Sequence, residues 1–346
     1  MNTTVDQALA GAGAGRFQRR LMMIFGLVWA ADAMQVVAVG FAAPSIAARF
    51  GLTVPQAAQQ TGTLFFLGMF VGAALFGRIA DRIGRRNVLL LTVACDAVFG
   101  LASAFAPSLE ALLVLRFLTG MAVGGTLPVD YAMMAEFLPP KNRGRWLVWL
   151  EGFWAVGTLI VALTAWYAAT TGFAAPYRLI YVVAALPARL ATEGFGFVRG
   201  YGFLVVLALA QLPGYALAAW GVERLGRRAT LQAFLLISAA GCMAFVLAAS
   251  PVMIAASLIV MSFALLGTWG ALYAFTPELY PTTLRGTGMG TAGAMARLGG
   301  IAAPSLLRSV IERDFALAIG VFAALLVLAA AVTLLIGRET RDASIV

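Results

Sequence analysis

One short polar stretch, Gly77-Arg78-Ile79-Ala80-Asp81-Arg82-Ile83-Gly84-Arg85-Arg86, separates two long apolar runs. Four arginines in ten residues cannot lie in hydrocarbon, so the stretch predicts a polar connection between two membrane helices. Arginine excess marks the cytoplasmic side of a membrane protein, so the same stretch predicts the orientation of the chain. We expect the backbone to turn tightly at Gly84.

The polar stretch returns later in the chain. Residues Ala80 to Arg86 are repeated as Val222-Glu223-Arg224-Leu225-Gly226-Arg227-Arg228. The spacing from Asp81 to Glu223 is 223 − 81 = 142 residues. A second motif has the same spacing. It reads Glu136-Phe137-Leu138-Pro139 with Arg143-Gly144 in the first copy and Glu278-Leu279-Tyr280-Pro281 with Arg285-Gly286 in the second. The spacing from Glu136 to Glu278 is again 278 − 136 = 142 residues. Two unrelated motifs at one spacing predict a duplicated membrane unit, an organisation common in transporters.

Composition excludes a soluble protein. Of 346 residues, 62% are hydrophobic and only 11% are charged, against about a quarter charged in soluble domains. The net charge of +9 does not indicate nucleic-acid binding, because 17 of the 24 basic residues fall on the predicted cytoplasmic side, 5 on the other side and 2 inside the membrane. The sequence contains no histidine, and Cys95 and Cys242 fall in apolar helices. We therefore expect no disulfide, metal site, cofactor or enzymatic activity.

Eleven membrane helices are predicted from runs of about 20 apolar residues. They cover residues 21–45, 55–78, 87–106, 109–137, 146–170, 177–190, 201–221, 229–249, 251–277, 286–308 and 315–337. When the pattern is shifted by 142 residues, only the first helix lacks a partner. We therefore expect the seventh helix of a twelve-helix pattern to be missing between about Pro187 and Gly196, so that the last five correspond to helices 8 to 12.

This organisation predicts an all-α polytopic membrane protein with four segments. These are a disordered N-terminus over 1–15, an N-terminal bundle over 16–190, a C-terminal bundle over 191–337 and a cytoplasmic tail over 338–346. We expect a monomer in the cytoplasmic membrane with both termini in the cytoplasm, where Arg16, Arg19 and Arg20 at the start of the N-terminal bundle hold the N-terminus.

The repeated motifs resemble those of the major facilitator superfamily. Finer matches resemble its synaptic-vesicle-protein-related branch, which includes bacterial niacin permeases and is similar to the organic anion and cation transporters. They are Gly15-Arg16-Phe17-Gln18, Trp29-Ala30-Ala31-Asp32-Ala33-Met34, Ala135-Glu136-Phe137-Leu138-Pro139 with Arg143-Gly144, Phe153-Trp154-Ala155-Val156-Gly157-Thr158, and Thr276-Pro277-Glu278-Leu279-Tyr280-Pro281. The resemblance implies two pseudo-symmetric six-helix bundles, a central cavity and alternating access. The missing helix 7, which normally lines that cavity, departs from it.

Ionisable residues inside predicted helices are candidate transport residues, because each costs about 3 kcal/mol or more at mid-membrane. Asp32 lies near the midplane and is interpreted as a proton carrier, a substrate contact or a structural acceptor, with Gln35 one turn on. Arg116 and Asp130 point to similar sides of one helix but lie roughly 21 Å apart along its axis. The resemblance implies a role for Arg116 in proton coupling; the alternative is an anchor at the membrane surface.

Arg297 is the most informative of these residues. It lies about eleven residues into its predicted helix, among glycines and other small or neutral residues. A guanidinium in such a place suits a substrate carboxylate, and the organic anion transporters resemble this chain in placing an arginine there. The alternative is an ion pair with Asp32 or another acid. Five aromatic residues are candidates to stack on an aromatic substrate or to pack in the core: Trp29, Phe153, Trp154, Trp269 and Tyr273.

The loop charges predict a gate on the cytoplasmic side, in which ion pairs form when that side is closed and break when it opens. Its predicted members are Asp81, Arg82, Arg85, Glu136, Arg143, Glu151, Glu223, Arg224, Arg227, Glu278 and Arg285. Glu151 is included because it lies within two turns of Arg143 and Arg145. Asp96 is expected to be structural.

The sequence thus predicts a secondary transporter, either a proton-coupled symporter or a uniporter, for a small organic anion, with an aromatic monocarboxylate such as nicotinate as the plausible substrate. In this interpretation Arg297 holds the carboxylate, and Asp32 or Asp130 carries the proton. Two alternatives remain open. One is an organic cation carrier that uses Asp32 or Glu151, and the other is a membrane protein that binds a ligand without transporting it.

Overall fold

The computed structural model describes residues 13–171, 175–185, 198–306, 315–337 and 339–341. These residues contain eleven α-helices and no β-strand, which confirms the predicted all-α fold. The helices are α1 Arg16–Phe50, α2 Val54–Ile83, α3 Arg85–Ala104, α4 Leu109–Phe137, α5 Arg143–Thr170, α6 Pro176–Ala185, α7 Val198–Arg224, α8 Arg227–Val246, α9 Pro251–Phe275, α10 Arg285–Leu306 and α11 Phe315–Val332.

Nine helices in the described part of the chain are long and apolar enough to cross a membrane. The other two are α6, which is described over ten residues, and α10, which is rich in glycine and carries Arg285 and Arg297. Several predictions lie outside the described residues: the end of the sixth helix, the missing helix between Pro187 and Gly196, residues 1–12, and the tail after Arg341.

The sequence marks the helix boundaries locally. Thr53 and Gln56 form a reciprocal capping box at the start of α2, and the Ser108 hydroxyl accepts a hydrogen bond from the Ala111 amide at the start of α4. Gly84 ends α2 with a φ of 92°, and its repeat partner Gly226 has a φ of 99°. The predicted tight turn is therefore present in both repeats, where a side chain would be strained.

The helices pack as two halves related by the sequence repeat. Within the N-terminal half α2 packs on α4, and within the C-terminal half α9 packs on α7 and α8. Between the halves α2 packs on α10 and α5 packs on α7. Because α7 repeats α2 and α10 repeats α5, these two contacts are equivalent. We call the end of the bundle that carries the α2–α3, α4–α5, α7–α8 and α9–α10 loops the arginine-rich end.

Glycines bring α2 and α10 into backbone contact at this end. A Cβ at Gly77 would lie 2.6 Å from the carbonyl oxygen of Gly286, and a Cβ at Gly290 would overlap the carbonyl oxygen of Ala73. Small residues at such positions allow membrane helices to approach closely. The two halves are therefore held together near the arginine-rich end by an interface that a larger side chain would disrupt.

Candidate functional site

A cavity of about 430 Å³ lies between the two halves. Its walls come from α1, α2, α4 and α5 on one side and from α9, α10 and α11 on the other. Most of the lining is apolar, and Arg297 and Glu151 provide its charges. A mostly apolar pocket with a few convergent polar groups is the usual form of a small-molecule site.

Aromatic side chains form one wall of the cavity. Trp29 is the centre of this group, because its ring centroid lies 6.1 Å from that of Trp154 and 5.7 Å from that of Tyr273. Trp269 in turn lies 5.6 Å from Tyr273. Four of the five aromatic residues predicted from the sequence therefore line the cavity. The fifth, Phe153, lies instead against Gly26 on α1, where a Cβ on the glycine would be 2.6 Å from the ring.

Two tyrosines at equivalent repeat positions, one from each half, contact each other beside the cavity. Tyr131 and Tyr273 are 273 − 131 = 142 residues apart, and their ring centroids lie 4.7 Å from each other. Tyr131 is fully buried and also contacts Trp29 at 4.8 Å. Tyr131 is not among the residues predicted from the sequence, although its repeat spacing from Tyr273 is a signal that could have found it.

Arg297 points from α10 into this cavity. The guanidinium donates to the carbonyl oxygen of Gly293 over 3.2 Å and lies 3.5 Å from the hydroxyl of Tyr273. Among the residues that the structure describes, no carboxylate forms an ion pair with it. The predicted alternative, a direct pair with Asp32, is thus not present in this conformation. A cation with spare donors in an apolar cavity can bind an anion.

Glu151 lies at the cavity and not in the gate where the sequence placed it. Its side chain lines the cavity, is 2% exposed, and accepts a hydrogen bond of 3.3 Å from the hydroxyl of Tyr215 on α7. The sequence placed it near Arg143 and Arg145 by chain separation alone. The two turns of helix between them carry Glu151 away from the arginine-rich end. Tyr215 was also missed, and its sequence neighbours gave no signal for it.

Three predicted residues, Asp32, Gln35 and Arg116, are buried inside the N-terminal half, and two of them, Gln35 and Arg116, meet in a hydrogen-bonded network. The Arg116 guanidinium donates to Gln35 Oε1 over 3.0 Å and to Ser103 over 3.3 Å, and it lies 4.3 Å from the Tyr181 ring centroid. Arg116 is fully buried, so it is not an anchor at the membrane surface. None of the three predicted residues is among the described residues that line the cavity.

Three carboxylates in the N-terminal half are buried with incomplete hydrogen bonding. Within the described residues, both oxygens of Asp130 and one oxygen each of Asp32 and Asp96 have no hydrogen-bond partner. Asp32 is close enough to Asp96, Asp130 and Arg297 to interact with them electrostatically. Asp96, interpreted from the sequence as structural, therefore belongs to the same buried group of charges.

The arginine-rich end is closed by charged contacts between the halves. Asp81 on α2 accepts hydrogen bonds from the backbone amides of Gly286 and Thr287 over 3.2 and 2.7 Å, so it caps α10 of the other half. Its repeat partner Glu223 accepts from the Arg145 amide over 2.8 Å and so reaches the start of α5. Each half therefore caps a helix of the other.

Arginine–glutamate pairs surround these caps. Glu136 receives both Arg85 and, over 2.8 Å, Arg285 of the other half. In the second repeat Glu278 binds Arg227 over 3.2 and 3.3 Å. The structure thus brings together most of the predicted gate: Asp81, Arg85, Glu136, Glu223, Arg227, Glu278 and Arg285. Arg143 is buried and donates to the Leu138 carbonyl, whereas Arg82 and Arg224 are exposed.

The C-terminal segment joins this network, which the sequence analysis did not foresee. Glu339 accepts from the Arg227 and Arg228 amides over 2.9 and 3.2 Å, and so caps α8. Thr340 donates to Glu278 over 2.5 Å. No repeat partner or hydrophobic period marks these residues, so only their position in the fold reveals the contact.

A helical bundle of two repeated halves around a central, mostly apolar cavity is an organisation common in membrane transporters. The chain matches the Major Facilitator Superfamily over residues 30–199. It is 33% identical to NiaP of Bacillus subtilis (strain 168), a candidate niacin/nicotinamide transporter, over 94% of this chain and 97% of that protein. It is 30% identical to the niacin transporter NiaP of Acinetobacter baylyi, over 94% and 95% of the two chains.

Solved structures agree on the fold. The proton:xylose symporter XylE bound to 6-bromo-6-deoxy-D-glucose matches with a TM-score of 0.81 at 14% identity, over 95% of this chain and 97% of that chain. The human organic anion transporter MFSD10 matches with a TM-score of 0.74 at 16% identity, over 92% and 99%. The sequence relatives, at 33% and 30% identity over 94% of this chain, show that the chain belongs to the major facilitator superfamily: it is a multi-pass membrane transporter and not an enzyme.

Proposed function

We propose that this transporter carries a small aromatic monocarboxylate such as nicotinate, together with protons, by alternating access. The observation that carries the proposal is Arg297, a cation in a largely apolar cavity of about 430 Å³. A guanidinium binds a carboxylate through two parallel hydrogen bonds, which gives both attraction and orientation.

The aromatic wall supports an aromatic substrate. Trp29, Trp154, Trp269 and Tyr273 line the same cavity as Arg297, and the Tyr273 hydroxyl lies beside the guanidinium. A flat ring could stack on these side chains while its carboxylate contacts Arg297. The niacin transporters among the relatives carry a substrate with this combination of ring and carboxylate.

The remaining parts of the proposal concern membrane orientation and coupling. We place the arginine-rich end and both termini in the cytoplasm because basic residues concentrate there. In that orientation the contacts of Asp81 and Glu223 close the cytoplasmic side and must break to release substrate inward. The proposed transporter is a monomer with two bundles, lacks helix 7 and carries a proton with its substrate.

The test is thermal stabilisation of the purified protein by nicotinate, benzoate, nicotinamide and a quaternary amine. A ligand at 100 times its dissociation constant raises the free energy of unfolding by about 2.7 kcal/mol. We expect the carboxylates to stabilise the protein, and Arg297→Ala to weaken their binding by about 100-fold because two charge-assisted hydrogen bonds are lost. Arg49→Ala, at an exposed arginine on the last turn of α1, is the matched control.

A cation carrier is the second candidate, since Glu151 also lines the cavity. Stabilisation by the amine that survives Arg297→Ala and disappears in Glu151→Gln would establish it and reject the anion proposal. Binding without uptake into vesicles would point to the non-transporting alternative. One observation supports that alternative. The alignment with the Bacillus relative spans 389 positions, which is more than the 346 residues of this chain. The aligned part of the relative therefore contains residues that this chain lacks.

A further inference from the structure

The cavity places one charge from each half at the same depth. Glu151 lies on α5, and its repeat position on α10 is Gly293, because 293 − 151 = 142. The Arg297 guanidinium donates to the carbonyl oxygen of Gly293 over 3.2 Å. The positive charge therefore lies beside the point of α10 that corresponds to Glu151 on α5, and both side chains line the same cavity.

The repeat is broken at both positions in a complementary way. Glu151 corresponds to Gly293, which has no side chain, and Arg297 corresponds to Ala155, because 297 − 155 = 142. Each half thus contributes one charge and one small residue at this level. The described lining thus contains one guanidinium and one carboxyl group in otherwise apolar surroundings.

The groups around Glu151 contribute acids and hydroxyls, and one cation. They are Asp130 and Tyr131 on α4, Tyr215 on α7, Tyr273 on α9 and Arg297 on α10. From α1 the neighbour is Trp29, which does not titrate, and Tyr181 on α6 lies instead at Arg116. Within the described residues, Arg297 is the only cation among the neighbours of Glu151.

We propose that Glu151 is the internal counter-ion of Arg297 and the group that takes up the coupled proton. This inference rests on the proposed carboxylate transport and moves the proton from Asp32 or Asp130 to the cavity wall. A bound carboxylate would leave two negative charges against one guanidinium, which is costly in an apolar cavity. Glu151 then takes one proton from a hydronium ion of the solvent: an O–H bond of hydronium breaks and leaves water, an O–H bond forms on Glu151, and the carboxylate becomes a neutral acid. One proton accompanies each monocarboxylate.

The test is calorimetric titration of the full chain with nicotinate in buffers that differ in ionisation enthalpy. The dependence of the binding enthalpy on the buffer gives the number of protons taken up. We expect about one proton per nicotinate for the wild type, and an affinity that falls about tenfold per pH unit once Glu151 is ionised in the empty protein. Glu151→Gln should bind nicotinate with no proton uptake and no pH dependence. Asp96→Asn, a buried acid outside the cavity lining, should keep the uptake of one proton.

The outcomes separate this inference from the proposed function. Nicotinate binding without proton uptake in the wild type, or with uptake that persists in Glu151→Gln, would overturn the role of Glu151 and leave the carboxylate site intact. If the wild type binds neither nicotinate nor benzoate, both proposals fail. Should Glu151→Gln not fold, Glu151→Asp decides: retained uptake with a displaced pH profile supports the role, and an unchanged profile contradicts it.

Discussion

The arginine-rich end and the central cavity are both built from the 142-residue repeat, but equivalent positions carry matching residues only at the arginine-rich end. At the arginine-rich end the repeat is kept: Asp81 and Glu223 each cap a helix of the other half, and Glu136 and Glu278 each bind an arginine. In the cavity it is broken, since Glu151 and Arg297 have Gly293 and Ala155 as repeat partners.

The difference follows from what each region contacts. The contacts at the arginine-rich end join two similar halves, so equivalent residues can make equivalent bonds. A small carboxylate has no such symmetry, because it has one charged end and one apolar end. The two walls of its site must therefore differ, and the repeat has diverged where the substrate is expected to bind.

The largest change in stability is expected from removing an arginine from one of two arginine–glutamate pairs. The pairs Arg227–Glu278 and Arg85–Glu136 occupy equivalent repeat positions but are unequally buried. The Arg227 side chain is 0% exposed and Glu278 4%, whereas Arg85 and Glu136 are 13% and 26% exposed. Arg227→Ala leaves a buried carboxylate without its partner, so we expect a loss of about 3–5 kcal/mol in the free energy of unfolding. Arg85→Ala should cost about 1 kcal/mol or less.

Denaturant unfolding of the purified variants measures this difference, with the exposed Arg82→Ala as control. Equal losses for the two repeat partners would show that the network is energetically symmetric despite its unequal burial.

A second change tests whether the close α2–α10 contact holds the arginine-rich end shut. A leucine at Gly290 overlaps the backbone of Ala73, and we expect it to destabilise the closed end by about 1–3 kcal/mol. The measurement is the labelling rate of a cysteine placed at buried Ala80 in an otherwise cysteine-free chain. Gly299→Leu on the same helix is the matched control, because a Cβ there meets no atom within 4 Å. If the cysteine is labelled slowly in both the Gly290→Leu and the Gly299→Leu variants, the α2–α10 contact does not hold the arginine-rich end shut.

The smallest effect is expected for a change in the aromatic wall, which lies on one side of the asymmetric cavity. Trp269→Ala removes part of the aromatic wall and should weaken nicotinate binding by about 0.5–1.5 kcal/mol, with little change for an aliphatic carboxylate of similar size. Trp166→Ala is a suitable control, because Trp166 on α5 is exposed to a similar extent, 41% against 37%, but does not line the cavity. An equal loss for both carboxylates would assign Trp269 to packing.

Much of the fold could be predicted because its signals are local. Apolar runs, the polar stretch at Gly84 and the capping residues Thr53 and Ser108 act over a few positions, and the repeat then relates distant helices by a fixed spacing. Most predicted gate residues meet for the same reason: each repeat carries the same motif. Glu151 was assigned to the gate by chain distance, and the rise of α5 places it at the cavity instead.

The order of apolar runs and polar turns is enough to specify a duplicated helical membrane protein and the loops that carry its charged motifs, because hydrocarbon requires that order. Which charges share a cavity depends instead on how the helices pack. Asp32 and Arg297 lie at similar predicted depths, yet Arg297 and Glu151 line the cavity while Asp32 lies among the buried acids of its own half. The face that each helix turns toward its neighbours is set by packing between distant segments, which no local pattern in the chain records.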